Sequence, residues 1–123
     1  MNLSKLFEMQ AKLDAHIERE HPRKENEDRL VKKILALQVE LGELANEWRG
    51  FKFWSNDQEP RQNPLLEEYV DCLHFLLSIG LENEIGTFDE IMPIKMGTVE
   101  MQFITLFKAT VLFLEDISYY QEM

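Results

Sequence analysis

Basic residues are in short supply in this chain. Over 123 residues, 13 Lys and Arg stand against 23 Asp and Glu, for a formal net charge of −10. That excludes a nucleic-acid partner held in a basic groove, because phosphate contacts need clustered Lys and Arg. A small polyphosphate remains open as a ligand, provided divalent cations invert the local sign. Cysteine is nearly absent. Cys72 alone cannot form an internal disulfide and fits a reducing cytoplasm. Glycine (5) and proline (4) are few against 45% hydrophobic residues, which disfavours a disordered or all-β chain and favours a compact helical one. The N-terminal stretch MNLSKLFEMQAKLD has no signal-peptide apolar region. No apolar run reaches membrane-spanning length; those near 72–81 and 109–114 are too short. Internal repeats and low-complexity tracts are missing as well. The expectation is a single cytoplasmic domain over 1–123 with no membrane or nucleic-acid partner.

What the chain does have is helical periodicity, recurring throughout, with no convincing strand. A first segment spans about Leu3 to Arg19, with Leu6, Gln10, Leu13 and Ile17 on one line, and ends in the polar stretch His21-Pro22-Arg23-Lys24. A second spans about Asn26 to Arg49, where Leu30, Ile34, Leu37, Leu41, Leu44 and Trp48 follow the i, i+4, i+7 rule and Gly50 offers a stop. Asn63-Pro64 reads as a cap followed by Pro at the first helical position of a third segment, Leu65 to Ile79, closed by Gly80. Thr87-x-x-Glu90 is a capping-box candidate for a short turn that Pro93 closes. A fourth segment spans about Thr98 to Glu122, with Val99, Phe103, Leu106, Thr110, Phe113, Ile117 and Tyr120 in register. The fold class is therefore all-α, an antiparallel bundle of four to five helices. Segment four is apolar on a second side, through Phe107, Val111 and Leu114, which predicts a homodimer or higher homo-oligomer.

Two pairs of acids stand out against this background: Glu40-x-x-Glu43 and Glu68-x-x-Asp71. A spacing of three puts both members of each pair on one helix face, where like charges repel. On a wheel of about 100° per residue, Glu40, Glu43 and Glu47 lie together at the edge of the segment-two apolar stripe, with Ala36 on their face. Glu68 and Asp71 sit at the corresponding boundary of segment three, near Cys72 and Phe75. Glu-x-x-Glu is common on solvated faces and alone says little. Two pairs at core edges of consecutive helices say more. If the helices pack antiparallel, four carboxylates meet at similar depth, and a divalent cation would remove a repulsion of several kcal/mol. The competing reading is exposed ion pairing with Lys32, Lys33, Arg49 and Lys52, each pair worth little. Asp71-x-x-His74 also matches the carboxylate-x-x-His element of di-iron bundles. No second such element accompanies it: His16 has Leu13 three residues upstream, and His21, three after Glu18, falls at a His-Pro break. Cys72 reads as a small core residue.

The residues around the acids carry a resemblance. Glu40-Leu41-Gly42-Glu43-Leu44-Ala45-Asn46-Glu47 with Phe51-Lys52-Phe53-Trp54 resembles the second motif of the all-α dimeric dUTPases, and Glu67-Glu68-Tyr69-Val70-Asp71-Cys72-Leu73-His74-Phe75 the third. Met9-Gln10-Ala11-Lys12-Leu13-Asp14 is similar to the first. The acid pattern alone would indicate only the wider all-α NTP pyrophosphatase superfamily with its MazG-like members. The Phe-Lys-x-Trp and Asp-x-x-His-Phe elements point to the dUTPase branch. The resemblance implies Mg²⁺-dependent hydrolysis of dUTP to dUMP and pyrophosphate, with Mn²⁺ as a substitute ion. It implies that Glu40, Glu43, Glu68 and Asp71 hold the metal and that Glu43 orients or deprotonates the attacking water. Gln10 and Asp14 would frame the nucleoside pocket, Lys52 and Trp54 would lie near the phosphates, and His74 and Phe75 near the sugar and base. Many family members carry Asn where Asp14 stands. The family also continues past the fourth helix with Lys, Asn, Arg and Tyr residues that complete the phosphate site, and nothing after Tyr120 supplies them. The alternatives are a MazG-like or dCTP-directed pyrophosphatase and a shortened, non-catalytic nucleotide-binding relative.

Overall fold

The computed structural model describes residues 3–85, 93–95 and 97–122. Among these residues every regular element is a helix: α1 (Leu3–Glu20), α2 (Arg29–Trp48), α3 (Gln62–Glu82) and α4 (Val99–Glu122). The all-α expectation holds. The capping-box candidate at Thr87 and Glu90 lies outside the described residues.

α2 and α3 form the central pair and run antiparallel. Lys33 meets Glu82, Glu40 meets Glu68 and Asp71, and the Arg61 N–H donates to the Glu47 carbonyl, so position rises along one helix as it falls along the other. Their apolar stripes make the main core: Leu30, Ile34, Leu37 and Leu41 from α2 against Cys72 and Ile79 from α3. α1 adds a second cluster by packing Leu3 and Phe7 on Leu77. α3 tolerates this approach because Gly80 has no side chain. A Cβ there would lie 3.2 Å from Phe7 Cε1, tighter than close-packed cores accept without movement.

The helix ends differ from expectation in instructive ways. α2 starts after Asn26, not at it. Asn26 takes a left-handed conformation (φ 64°) that a helix cannot contain, and Asp28 becomes the N-cap, its carboxylate accepting from the Val31 N–H at 3.2 Å. At the other end the left-handed residue is Arg49 (φ 70°), not Gly50. The Arg49 side chain donates to the Asp57 carbonyl of the next loop, which holds it there. Gly50 is instead required by the Trp48 ring, which occupies the space a Cβ would take, 2.3 Å away. α3 begins at Gln62 behind Arg61, which makes no side-chain cap, so Asn63 is not the cap. Pro64 falls third in the helix, where its missing N–H is still one the first turn leaves unbonded. α3 also runs past Gly80 to Glu82.

α4 packs along α2. Phe103 lies against Trp48 with ring centroids 6.0 Å apart, and Gln38 donates to the Thr110 hydroxyl at 2.8 Å. Phe107, Phe113, Leu114 and Ile117 cover the main core, while Val99 and Leu106 of the predicted stripe are exposed. The packing face is thus rotated toward Phe107 and Leu114. Met101, Ile104 and Leu112 are also exposed, an apolar face left unpaired within the single chain. No helix is long and apolar enough to cross a membrane.

Candidate metal and nucleotide site

The antiparallel register of α2 and α3 brings the acid pairs together. Ligand oxygens of Glu40, Glu68 and Asp71 lie within 4.8 Å of one another. Glu43 is exposed and stands beside this group, close enough to raise the pKa of both Glu40 and Glu68. Glu40 Oε2 and Glu68 Oε2 are buried, and neither has a hydrogen-bond partner. Close approach to Glu40, then burial, then Glu43 push the Glu68 carboxyl up to about 8. Burial is also the largest cause of a raised Glu40, with Glu43 and Asp71 adding to it and the contact with Glu68 opposing it. The same acids, after burial itself, push the Cys72 thiol up to about 11, which keeps it an inert core residue.

Orphaned carboxylate oxygens cost free energy unless something positive satisfies them. Among the described residues no ion pair reaches any of the four acids. Lys33 pairs with Glu82 at 3.0 Å, Lys32 with Glu27 at 3.0 Å, Arg49 bonds a carbonyl, and Lys52 lies over the Phe51 ring. The exposed-ion-pair reading of the acids therefore does not hold. The converging donors are all carboxylate oxygens, hard ligands that suit Mg²⁺ or Mn²⁺, and the residues fit a divalent cation. His74 is not among the converging ligands; its Nδ1 lies 2.7 Å from Gln10 Oε1, so the di-iron pattern is not assembled.

Glu40 and Asp71 open into a groove of about 780 Å³ between α1, α2 and α3. Gln10, Asp14, His74 and Phe75 line it, together with Ala36. Four residues on α1 and α3 are tied across its wall. Gln10 Nε2 donates to Asp14 Oδ1 at 2.9 Å, the Ser78 hydroxyl donates to Asp14 Oδ2 at 2.9 Å, and Gln10 Oε1 meets His74. Ser78 had no assigned role in the sequence. The available signal is its place four residues after His74, one turn along the same face. The far end of the groove is closed by ions: Glu82 accepts from Arg23 at 2.7 Å and from Lys33, and is pulled down to about 2, chiefly by Arg23.

Lys52 and Trp54 stand apart from this groove. They belong to the loop after α2, where Trp54 is 66% exposed and packs edge-on against Phe51 and Phe53. Phe51 in turn stacks on Trp48. Six of the ten expected site residues thus line this groove, Glu68 and Glu43 stand beside Glu40 at its edge, and Lys52 and Trp54 lie away from it.

Comparison with known proteins gives one match. No curated protein and no solved structure matches the chain. The family model described as dUTPase matches residues 2–123, nearly the whole chain. With four helices, no strand among the described residues and the acids of two motifs converging beside a nucleotide-sized groove, the chain belongs to the all-α dUTPase family, enzymes that hydrolyse dUTP.

Proposed function

We propose that the chain hydrolyses dUTP to dUMP and pyrophosphate with Mg²⁺, or Mn²⁺ in its place, held by Glu40, Glu43, Glu68 and Asp71. The single observation that carries the metal assignment is the pair of buried carboxylate oxygens, Glu40 Oε2 and Glu68 Oε2, with no hydrogen-bond donor. When bound, the divalent cation would neutralise the triphosphate and polarise both attacking and leaving oxygens. Glu43 is the most open of the acids on α2, and so the one free to orient a water and take its proton. The groove wall of Gln10, Asp14, His74 and Phe75 receives the nucleoside and sets its distance from the acids. Selection of uracil over thymine follows if the wall has no room for a 5-methyl, since size exclusion discriminates strongly. The exposed face of α4 supports association of two copies.

A pyrophosphate-release assay over the deoxynucleoside triphosphates, with and without Mg²⁺, tests the reading. Release from dUTP that needs the metal is expected, and Glu43→Gln should abolish it while leaving the far-ultraviolet circular dichroism unchanged. Preference for dCTP would replace the substrate. Thermal stabilisation by dUTP without turnover in any condition would make the chain a binding module. Unchanged release by Glu43→Gln would remove that residue from the chemistry.

A further inference from the structure

Hydrogen-bond chains have a direction, and here one residue sets it. As a carboxylate, Asp14 can only accept. Both of its oxygens are engaged, Oδ1 at 2.9 Å from Gln10 Nε2 and Oδ2 at 2.9 Å from the Ser78 hydroxyl. The Gln10 amide must therefore turn its NH₂ toward Asp14, which leaves its Oε1 to face His74 Nδ1 at 2.7 Å. An amide oxygen only accepts, so Nδ1 must carry the proton. In the neutral ring the other nitrogen, Nε2, is then a bare acceptor, and no protein partner for it occurs among the described residues. Gln10 and Ser78 are each only 4% exposed, so water cannot easily substitute for either link.

We propose that Ser78 is a positioning residue: through Asp14 and Gln10 it fixes His74 as the Nδ1–H tautomer, so that Nε2 presents an acceptor to a hydrogen-bond donor of the bound nucleotide. The proposal rests on the dUTP reading above. The nucleotide offers two donors of the required kind, the ring N3–H of uracil and the 3′-hydroxyl of the sugar. Loss of the Ser78 hydroxyl leaves Asp14 Oδ2 without its buried donor, so the carboxylate turns toward solvent and the amide loses the constraint on its orientation. Asp14→Asn acts more sharply. An Asn there can accept from Ser78 and donate to Gln10, which turns the amide over, makes it the donor to His74 Nδ1 and moves the ring proton to Nε2.

Long-range ¹H–¹⁵N correlation spectra of the full chain at pH 8 read the tautomer directly, without metal or nucleotide. Nδ1–H is expected in the wild type, Nε2–H in Asp14→Asn, and a mixture in Ser78→Ala. In the turnover assay Ser78→Ala should raise KM for dUTP about tenfold, the equivalent of one hydrogen bond to substrate, with kcat little changed; Ser78→Thr should restore it. Wild-type KM should rise similarly for N3-methyl-dUTP if the ring N–H is the donor, or for 2′,3′-dideoxy-UTP if the sugar hydroxyl is. An Nε2–H ring in the wild type, or an unchanged ring in Asp14→Asn, overturns the inference and leaves dUTP hydrolysis standing. Equal KM for all three nucleotides overturns recognition by His74. A wild-type Nδ1–H ring with no turnover of dUTP refutes the proposed reaction instead, and with it the nucleotide as the target of Nε2.

Discussion

Glu68→Gln should make the metal-free protein more stable, by a margin that grows as pH rises from about 4.5 to about 8. The folded state raises the Glu68 carboxyl from 4.5 to about 8. Between those values the folded chain keeps a proton that the unfolded chain has released, so stability falls as pH rises through this window and levels off above it. At about 1.4 kcal/mol per pH unit the rise sets an upper bound of about 5 kcal/mol. One Glu68 oxygen is buried, but the side chain as a whole is only partly so, and solvent screening brings the expected penalty to about 2 kcal/mol. Gln has the same shape, carries no charge and can donate to the orphaned Glu40 oxygen. In EDTA at pH 8.5 and fixed protein concentration, the variant should melt about 8 °C above the wild type, taking about 4 °C per kcal/mol for a chain of this size; at pH 5 the two should coincide. Mg²⁺ should reverse the order, because an ion at a hundred times its dissociation constant stabilises the wild type by about 2.7 kcal/mol and the variant has lost a ligand. A wild-type melting temperature that is flat from pH 5 to 8.5 in EDTA, or a variant less stable at pH 8.5, would refute the reasoning.

Three further substitutions test the frame around the site. Glu82→Gln removes the negative charge shared by Arg23 and Lys33 and should cost about 1 kcal/mol in urea unfolding at pH 7; because Glu82 is held at about 2, the cost should shrink as pH falls from 4.5 toward 2. Leu37→Ala, at a position 2% exposed in the centre of the α2–α3 core, should cost about 3 kcal/mol by the same measurement. Gly50→Ala should displace the Trp48 ring from Phe51 and Phe103, costing about 1–2 kcal/mol and weakening the near-ultraviolet circular dichroism, whereas an unchanged aromatic spectrum would show that the ring does not depend on that glycine.

Much of the fold was legible because its signals are local and repeated. The run Leu30, Ile34, Leu37, Leu41 marks one face of α2 without reference to any other part of the chain, and all four are buried. The acids were legible for a related reason. Glu40, Glu68 and Asp71 stand at the boundary of such stripes, and antiparallel packing of the two stripes brings them together. Where the sequence misled, the deciding contact was between elements. Gly50 has the composition of a helix stop, yet Arg49 takes the left-handed position because its side chain can hold the next loop at Asp57. On α4 the predicted Phe103, Thr110, Phe113 and Ile117 do face the rest of the chain, but Phe107 and Leu114 join them on the core while Val99 and Leu106 are exposed.

The groove wall shows where pattern reading stops. Gln10, Asp14 and His74 could each be named from motif resemblance, but their chemistry depends on which atom of each faces the next. That order is set by Asp14 and held by Ser78, a small polar residue whose spacing in α3 differs in no way from a buried helical serine bonding its own backbone. Only the packing of α1 on α3 brings its hydroxyl to Asp14. The same packing explains how a chain of net charge −10 can offer a site to a triphosphate. The cations that line the groove, Arg23, Arg29, Lys32 and Lys33, are spent on Glu18, Glu27 and Glu82, so on the proposed reading the attraction for phosphate would come from an ion held by the carboxylates. Binding of the nucleotide should therefore depend on the divalent cation far more than on any single lysine or arginine of the groove.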